Sequence, residues 1–289
     1  MYFEQILQTF YGTHWAILPE RLHEMESVLL KLIADRFTGQ TALKDCDEPK
    51  PTAQAKDYSA PGDVAVIPVR GTIYPRGGAN PASGLTTAEF IGKQIDGAAA
   101  NSQISHIVLD MDTPGGAVAG IPELAAKVRA ASDRKPVTAV GSHLIASAGY
   151  WIASQAREIV GTPSSSHGSI GVRYVHMDRS KMLERDGVSV TEITTAPMKA
   201  AGSPFKPLSE EARKSIESTS QHFHAMFVSA VAAGRKVSAD RVETSFGRGD
   251  VLTAQDALAA RMIDRIGTLE EVVSDIRDRS ARKRAVAMA

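Results

Sequence analysis

The alternation of hydrophobic and polar positions divides the chain into a helical start, a polar stretch and a long mixed region. Apolar residues recur at helical spacing over 16–37, which predicts one amphipathic helix. Residues 38–62 are polar, contain three prolines and show no periodicity, as is typical of a linker. We therefore predict four parts: a helical arm over 1–38, a linker over 39–62, a main domain over 63–275 and a tail over 276–289.

The main domain alternates between short apolar runs and amphipathic segments of helical period. The predicted strands are 64–69, 106–112, 137–141, 158–160, 169–177 and 188–194. The predicted helices are 86–100, 120–132, a short one opening near Ser147, 178–187, 208–233, 238–245, 253–260 and 268–284. Strands that alternate with helices favour right-handed crossovers, and continuous apolar strands favour burial on both faces. The pattern therefore predicts an α/β core.

Charge and composition narrow the classes of partner. The chain has 289 residues, with 33 basic side chains against 33 acidic ones, so its formal net charge is zero. A neutral chain has no overall attraction to nucleic acid or to an anionic membrane. No run approaches the ~18 apolar residues of a membrane-spanning helix, and the start lacks a secretory signal pattern. The single cysteine, Cys46, forms no internal disulfide, which suits the reducing cytoplasm. Taken together, these features lead us to expect a cytoplasmic protein that binds neither nucleic acid nor membrane.

Two glycines follow the predicted strand 106–112, just before a helix is expected to begin. Gly115 and Gly116 lie in the stretch "MDTPGGAVAG". A strand, a glycine turn and a helix leave backbone N–H groups free to bind an anion, and glycine permits close approach. Neither GxGxxG nor GK[ST] is present, so the nucleotide-binding fingerprints are not met. An ordinary turn between a strand and a helix explains the same residues.

Ser147 stands between Ala146 and Ala148 at the start of the predicted short helix. A serine at this place caps a helix without any chemical role. As a nucleophile it needs a base, and the GxSxG elbow is absent. His143 lies four residues upstream, but no carboxylate is evidently placed to orient it. Both interpretations stay open at this point.

Lys199 lies among small and apolar neighbours in "TTAPMKAAGSPFKPLS". A lysine in apolar surroundings is costly to protonate, so its pKa falls and its amine can act as a general base. A solvated loop lysine is the alternative.

No pattern indicates a metal or a cofactor. His222 and His224 have HxH spacing, which points the two rings to different faces of a helix. Neither HExxH nor CxxC occurs, so we expect no metal site and no cofactor.

Together these segments resemble the signal peptide peptidase A family of Ser/Lys-dyad serine peptidases, and within it the bacteriophage prohead (head-maturation) proteases. The resemblance covers roughly residues 60–275 and rests on five ordered motifs. They are "VAVIPVRGTIYPR", "IVLDMDTPGGAVAGIPELA", "KPVTAVGSHLIASAGYWIASQAREIVGTPSSSHGSIGV", "MKAAGSPFKPLSEEAR" and "ALAARMIDRIGTLEEV". The stretch "HWAILPERL" near the start is similar to the phage branch.

The resemblance assigns a role to each site residue. Ser147 matches the nucleophile and Lys199 the general base. Ser169, in "HGSIGV", matches the serine that hydrogen-bonds the lysine amine and orients it. The glycine pair matches the oxyanion-hole turn, with Gly116 preferred over Gly115 as the donor beside the Ser147 amide.

One departure from the family motif lies beside the glycines. The family commonly has DSPGG at this turn, where the present chain has Thr113 in place of the serine.

The resemblance also implies a fold and a function. The fold is a ClpP/crotonase-like β-α spiral core with outer helices and an N-terminal helical arm, assembled into a homo-oligomeric ring. The function is that of a serine endopeptidase that cleaves phage capsid, portal or scaffold proteins during head maturation, in the host cytoplasm or inside the assembling head. Three alternatives remain: a soluble peptidase that degrades signal peptides, a catalytically silent capsid scaffold protein, and a crotonase-type acyl-CoA enzyme, which would not need the serine–lysine pair.

Overall fold

A computed structural model describes residues 10–38, 59–60, 62–77 and 85–288. The strands are β1 (His14–Ile17), β2 (Val64–Arg70), β3 (Thr72–Tyr74), β4 (Leu85–Thr87), β5 (His106–Thr113), β6 (Gly115–Ala117), β7 (Val137–Ala146), β8 (Glu158–Gly161), β9 (Ser166–Gly168), β10 (Arg173–Tyr174), β11 (Val251–Thr253) and β12 (Arg265–Ile266). The α-helices are α1 (Pro19–Thr38), α2 (Ala88–Ala100), α3 (Ile121–Arg134), α4 (Ala148–Ala153), α5 (Ser180–Arg185), α6 (Glu210–Arg235), α7 (Ala239–Ser245), α8 (Ala254–Ala260) and α9 (Leu269–Met288). Short 3₁₀ helices span Pro197–Ala200 and Gly247–Gly249.

A seven-stranded sheet forms the centre of the molecule. Its main path runs β11-β9-β7-β5-β2, with β8 joined to β7 and β12 joined to β8. Every pairing in this sheet is parallel except that of β9 with β11. The predicted α/β core is therefore confirmed, and its strands β2, β5, β7 and β8 begin at the predicted residues.

Helices cover both faces of this sheet, which explains why its strands are apolar without alternation. On one face, the side chains of Ala65, Ile67 and Leu109 join the main core with those of α2 and α3. On the other face, Val64 and Val108 pack with Val272 and Ile276 of α9. Successive side chains of a strand point to opposite faces, so burial on both sides requires continuous apolar runs.

A second sheet of five strands, in the order β10-β1-β6-β3-β4, carries the glycine turn. β1 pairs antiparallel with β6 on one edge and with β10 on the other. A side chain is excluded at both glycines, since a Cβ on Gly116 would lie 2.0 Å from the Ile73 carbonyl oxygen and one on Gly115 would lie 2.1 Å from that of Ala16. Gly115 also has a φ of +106°, in the region that favours glycine.

The N-terminal helix differs from its predicted bounds, since α1 begins at Pro19 and the residues before it form β1. Proline is suited to the first helical position. The short strand arises because Trp15, Ala16 and Ile17 are buried against distant parts of the chain.

The division into four parts stays a prediction. Most of the expected linker 39–62 lies outside the described residues. The expected tail 276–289 begins inside α9.

Two of the predicted strands are wrong. Of 169–177, only Arg173–Tyr174 is a strand, and it pairs with β1. Residues 188–194 form no strand, and the side chains of Val188, Val190 and Ile193 are exposed. An alternating pattern forms a strand only where a neighbouring edge is there to pair with it, and this segment has none in the described chain.

Candidate active site

Ser147 occupies a strained turn between β7 and α4. Its backbone has φ 54° and ψ −118°, a conformation that residues other than glycine rarely adopt. Its side chain makes no capping hydrogen bond to the helix, so the capping interpretation does not hold. Strained positions of this kind concentrate at functional sites, and a sharp strand-to-helix turn is the geometry that presents a nucleophilic serine.

The small residues around Ser147 allow α4 to pack closely against the neighbouring strands. Ala146 and Ala148 are both fully buried. A Cβ added at Gly149 would lie 2.4 Å from the Cγ2 atom of Thr113, so only glycine lets α4 come this close to the end of β5. Thr113 is fixed in turn, because its hydroxyl donates to the Gly71 carbonyl at 2.6 Å.

The backbone N–H groups near Ser147 are not all available to an oxyanion. The Ser147 N–H donates to the Gly168 carbonyl at 2.7 Å, and the Gly115 N–H donates to the Thr113 hydroxyl at 3.1 Å. In this structure both of these N–H groups therefore have an acceptor within the chain. The N–H of Ala148 stands at the first position of α4, where a helix offers no acceptor of its own.

Ser169 lies next to Ser147 through the pairing of β7 with β9. Ala146 is opposite Gly168, so Ser147 and Ser169 are the residues that follow an aligned pair. Ser169 is buried and also has a φ of 54°. Its N–H donates to the Asp250 carbonyl at 2.7 Å, which fixes the turn after β9.

Lys199 is not brought into this cluster. It lies in the 3₁₀ helix Pro197–Ala200, and its side chain is exposed. Within the described part of the chain, its amine makes no hydrogen bond or ion pair. The structure thus places Ser147, Ser169 and the glycine turn together, whereas the apolar surroundings predicted for Lys199 are absent in a single chain.

Two histidines near the site have partners that the sequence did not reveal. His143 Nδ1 lies 3.4 Å from Asp112 Oδ2, with both side chains largely exposed. His167 is buried, and its Nε2 is 2.8 Å from the Ser165 hydroxyl. Burial lowers the pKa of His167 to about 4, so its ring is neutral at pH 7. The sequence gives only a weak indication that His167 is buried, because its ring occupies space left by glycines on two other strands.

The described residues contain no group of three or more His, Cys, Asp and Glu side chains arranged to hold a metal ion. In the same residues, no helix combines the length and apolar character needed to cross a bilayer.

Comparison with known proteins identifies the family. The model described as peptidase family S49 matches residues 129–283, a span that includes Ser147, Ser169 and Lys199. The chain belongs to peptidase family S49. The resemblance to signal peptide peptidase A, and the ClpP-like α/β fold that it implies, are thereby confirmed.

Several curated proteins are similar to this S49 member. Capsid assembly protease C of Escherichia phage lambda is 33% identical over 251 residues, which cover 84% of this chain and 56% of that protein. Head-tail preconnector protein GP5 of Enterobacteria phage P21 is 31% identical over 221 residues, covering 76% and 44%. Protease 4 of Salmonella typhi is 32% identical over 216 residues, covering 74% and 34%. The chain therefore spans about half or less of the length of these relatives.

Among solved structures, a point mutant of ClpP1 from Listeria monocytogenes matches with a TM-score of 0.43 and 16% identity. That match covers 71% of this chain and 92% of the ClpP1 chain.

Proposed function

We propose that this S49 member is a serine endopeptidase in which Ser147 is the nucleophile and Lys199 the general base. The observation that carries the proposal is the backbone of Ser147, held at φ 54° and ψ −118° between β7 and α4 without a capping role. A structural serine gains nothing from such strain, whereas a nucleophile gains a fixed orientation.

The chemistry follows from the groups at the turn. The Ser147 hydroxyl attacks the peptide carbonyl, and a neutral Lys199 amine takes its proton. The lysine then returns that proton to the leaving amine, and water hydrolyses the ester that remains on the serine. Ser169, beside the nucleophile, orients the lysine amine.

We assign the oxyanion donors to the N–H groups of Gly116 and Ala148. The amides of Ser147 and Gly115 donate to the Gly168 carbonyl and to the Thr113 hydroxyl, whereas the Gly116 amide faces β1. An amide that follows the nucleophile and opens a helix is a common oxyanion donor. Removal of one such donor typically lowers the rate by a factor on the order of 10²–10³.

The proposal requires that Lys199 be covered. A lysine acts as a base near neutral pH only when it is withdrawn from water, and in a single chain Lys199 is exposed. Met198, Ile193 and Phe205 are also exposed, so the segment that carries the lysine presents an apolar surface to solvent. We propose that this surface becomes covered in a homo-oligomeric ring, which completes the dyad.

The proposed substrates are the capsid, portal or scaffold proteins of a phage head, cleaved in the host cytoplasm during assembly. The support is the similarity to a phage capsid assembly protease and to a phage head-tail preconnector protein, which cover more of this chain than Protease 4 does. A second candidate is a peptidase that degrades signal peptides, favoured by the 32% identity to Protease 4.

Co-expression with candidate head proteins tests the function. We expect new protein termini, detected by mass spectrometry, with the unmodified chain and at least 100-fold fewer with Ser147→Ala or Lys199→Ala. Lys206→Ala is the matched control, since Lys206 lies in the same segment but pairs with Glu192 at 3.6 Å, and it should retain cleavage. Termini that persist with Ser147→Ala would reject the mechanism, and a silent scaffold protein would give none with any variant.

A further inference from the structure

β1 stands between the glycine turn and the segment that follows Ser169. On one edge it pairs with β6, where Ala16 is opposite Gly116. On the other edge it pairs with β10, where Trp15 is opposite Arg173. Four residues of the chain's own N-terminal part are thus held as an extended peptide between two strands of the candidate active site.

The β1 backbone also approaches the nucleophile. A Cβ placed on Gly115 would meet the Ala16 carbonyl oxygen at 2.1 Å, the Ile17 Cα at 3.0 Å and the Ser147 Cβ at 3.0 Å. The strand and the serine therefore converge on the same point beside Gly115. Ser147 is only 1% exposed, so its hydroxyl is closed off from any other polypeptide.

The hydrogen bonds of the β1–β6 ladder determine which group faces Gly116. Two backbone hydrogen bonds of 2.9 Å lie at the two ends of this ladder. Val118 N–H donates to the His14 carbonyl, and Leu18 N–H donates to the Pro114 carbonyl. Hydrogen-bonded pairs alternate along an antiparallel ladder, so Ala16 and Gly116, midway between these, form the next such pair. The Gly116 N–H, the glycine donor left for an oxyanion, therefore faces the Ala16 carbonyl.

We propose that β1 occupies the substrate groove of the peptidase, with the Ala16 carbonyl in the place of the scissile carbonyl, and that the chain is autoinhibited until β1 leaves. The inference rests on the proposed function, because it takes Gly116 as an oxyanion donor. A sheet edge binds extended peptides through main-chain hydrogen bonds, and side-chain pockets add specificity. Once β1 departs, the edges of β6 and β10 accept an extended polypeptide in the same way.

The contacts of β1 are suited to reversible release. Its large side chains pack in a small apolar cluster that is separate from the main core and consists of Phe10, Trp15, Ile17, Leu22 and Ala117. Trp15 Nε1 donates to the Phe10 carbonyl at 3.1 Å, within the same N-terminal part. Of β1, only the small side chain of Ala16 belongs to the main core, so departure of β1 leaves the helices on both faces of the central sheet in place.

A reversible lock tests whether β1 must leave. His14 and Tyr174 are directly opposite in the antiparallel pair, a geometry that a disulfide can bridge. His14→Cys and Tyr174→Cys are introduced with Cys46→Ser, so that no other thiol is present, and Cys46→Ser alone is the redox control. All forms also carry Ser147→Ala, so that peptide binding is measured without cleavage.

The probe is a fluorescent peptide, THWAILPE, which copies residues 13–20. We expect the reduced protein to bind it at least tenfold more tightly than the oxidised protein, and neither form to bind a scrambled peptide. Equal affinity in the two redox states, or no binding in either, overturns the proposal.

A second comparison needs no disulfide. Ala16→Pro removes the N–H that pairs with Gly116, whereas Ala16→Gly keeps it. We expect Ala16→Pro to raise the peptide affinity at least tenfold over Ala16→Gly, and equal affinities contradict the inference.

Cleavage by chains that keep Ser147 separates this inference from the proposed function. If the peptide binds as expected but the chain cleaves no protein even with the lock reduced, β1 does occupy a peptide-binding groove, but the proposed peptidase function fails and with it the autoinhibitory role. If the chain cleaves protein at the same rate with the lock oxidised or reduced, the proposed function stands and the autoinhibitory strand fails.

Discussion

At the scale of the residue, Ser147 is held in a conformation that costs on the order of 1–3 kcal/mol. The surroundings stabilise it on both sides, since its N–H donates to the Gly168 carbonyl and its carbonyl accepts from Trp151 N–H at 3.0 Å. The two aromatic residues of α4 anchor the helix, as Tyr150 donates to the Met262 carbonyl at 2.8 Å and Trp151 stacks on Phe227 at 4.6 Å. The strain is thus offset by contacts of the helix that follows.

The contact of Gly149 with Thr113 gives a prediction at this scale. Gly149→Ala places a methyl group 2.4 Å from Thr113 Cγ2, so we expect the free energy of unfolding to fall by about 1–3 kcal/mol. Thr113→Ser removes that Cγ2 but keeps the hydroxyl that binds Gly71. The double variant should recover most of the loss in urea unfolding, and strictly additive losses would show that the clash is not the cause.

At the scale of the element, two neutral histidines are built into the central sheet. His106 of β5 has its Nε2 3.0 Å from the Thr138 hydroxyl of β7, and burial lowers its pKa to about 4. His167 of β9 fits between β7 and β8, where a Cβ on Gly141 or Gly161 would strike its ring at 2.9 or 2.4 Å. Protonation of either ring would place a charge in a buried sheet, so both histidines favour the folded state only while they are neutral.

This arrangement predicts a dependence of stability on pH. The folded pKa of each ring, about 4, lies below the ordinary value of 6.5, so the unfolded chain binds more protons between these two values. The free energy of unfolding should therefore fall as the pH drops from 6.5 to 4, by up to about 3 kcal/mol for each histidine. In urea unfolding at several pH values, His167→Gln should remove its share of this slope. An unchanged slope would mean that His167 is not a buried neutral ring.

At the scale of the whole molecule, the folded chain leaves one requirement of its proposed chemistry unmet. Lys199 and the apolar side chains of the same chain segment are exposed, and Ile193 is 92% exposed. Large apolar side chains clustered on a surface indicate contact with another protein. In the proposed ring, one contact would both bury these side chains and withdraw the lysine from water.

Ile193→Glu tests this contact. Because Ile193 packs against little in a single chain, we expect the free energy of unfolding to change by no more than about 0.5 kcal/mol. Assembly, measured by sedimentation, should be lost together with cleavage. Val286→Glu is the matched control, since Val286 is an exposed apolar residue of α9 and should leave both unchanged. Normal assembly of the Ile193→Glu chain would exclude this surface from the interface.

Much of the central sheet could be predicted because its signals are local. The apolar runs of β2 and β5 and the helical periods of α2 and α3 lie within about a dozen residues each. The strand predictions fail where strand formation depends on pairing with a distant part of the chain. Val188 and Val190 alternate as a strand does but have no neighbouring edge in the described chain, whereas β1 has weak local signals and two edges to pair with.

The sequence by itself determined the α/β class and the family motifs, and it supplied the residues proposed for the chemistry, since these depend on residue type, order and short-range period. Only the tertiary structure decided that Ser147 is strained rather than a cap, that its amide is engaged, that Lys199 is exposed and that β1 lies against the glycine turn. These four facts depend on which backbone groups meet across long stretches of chain. Packing and hydrogen-bond geometry fix such meetings, and no local pattern encodes them.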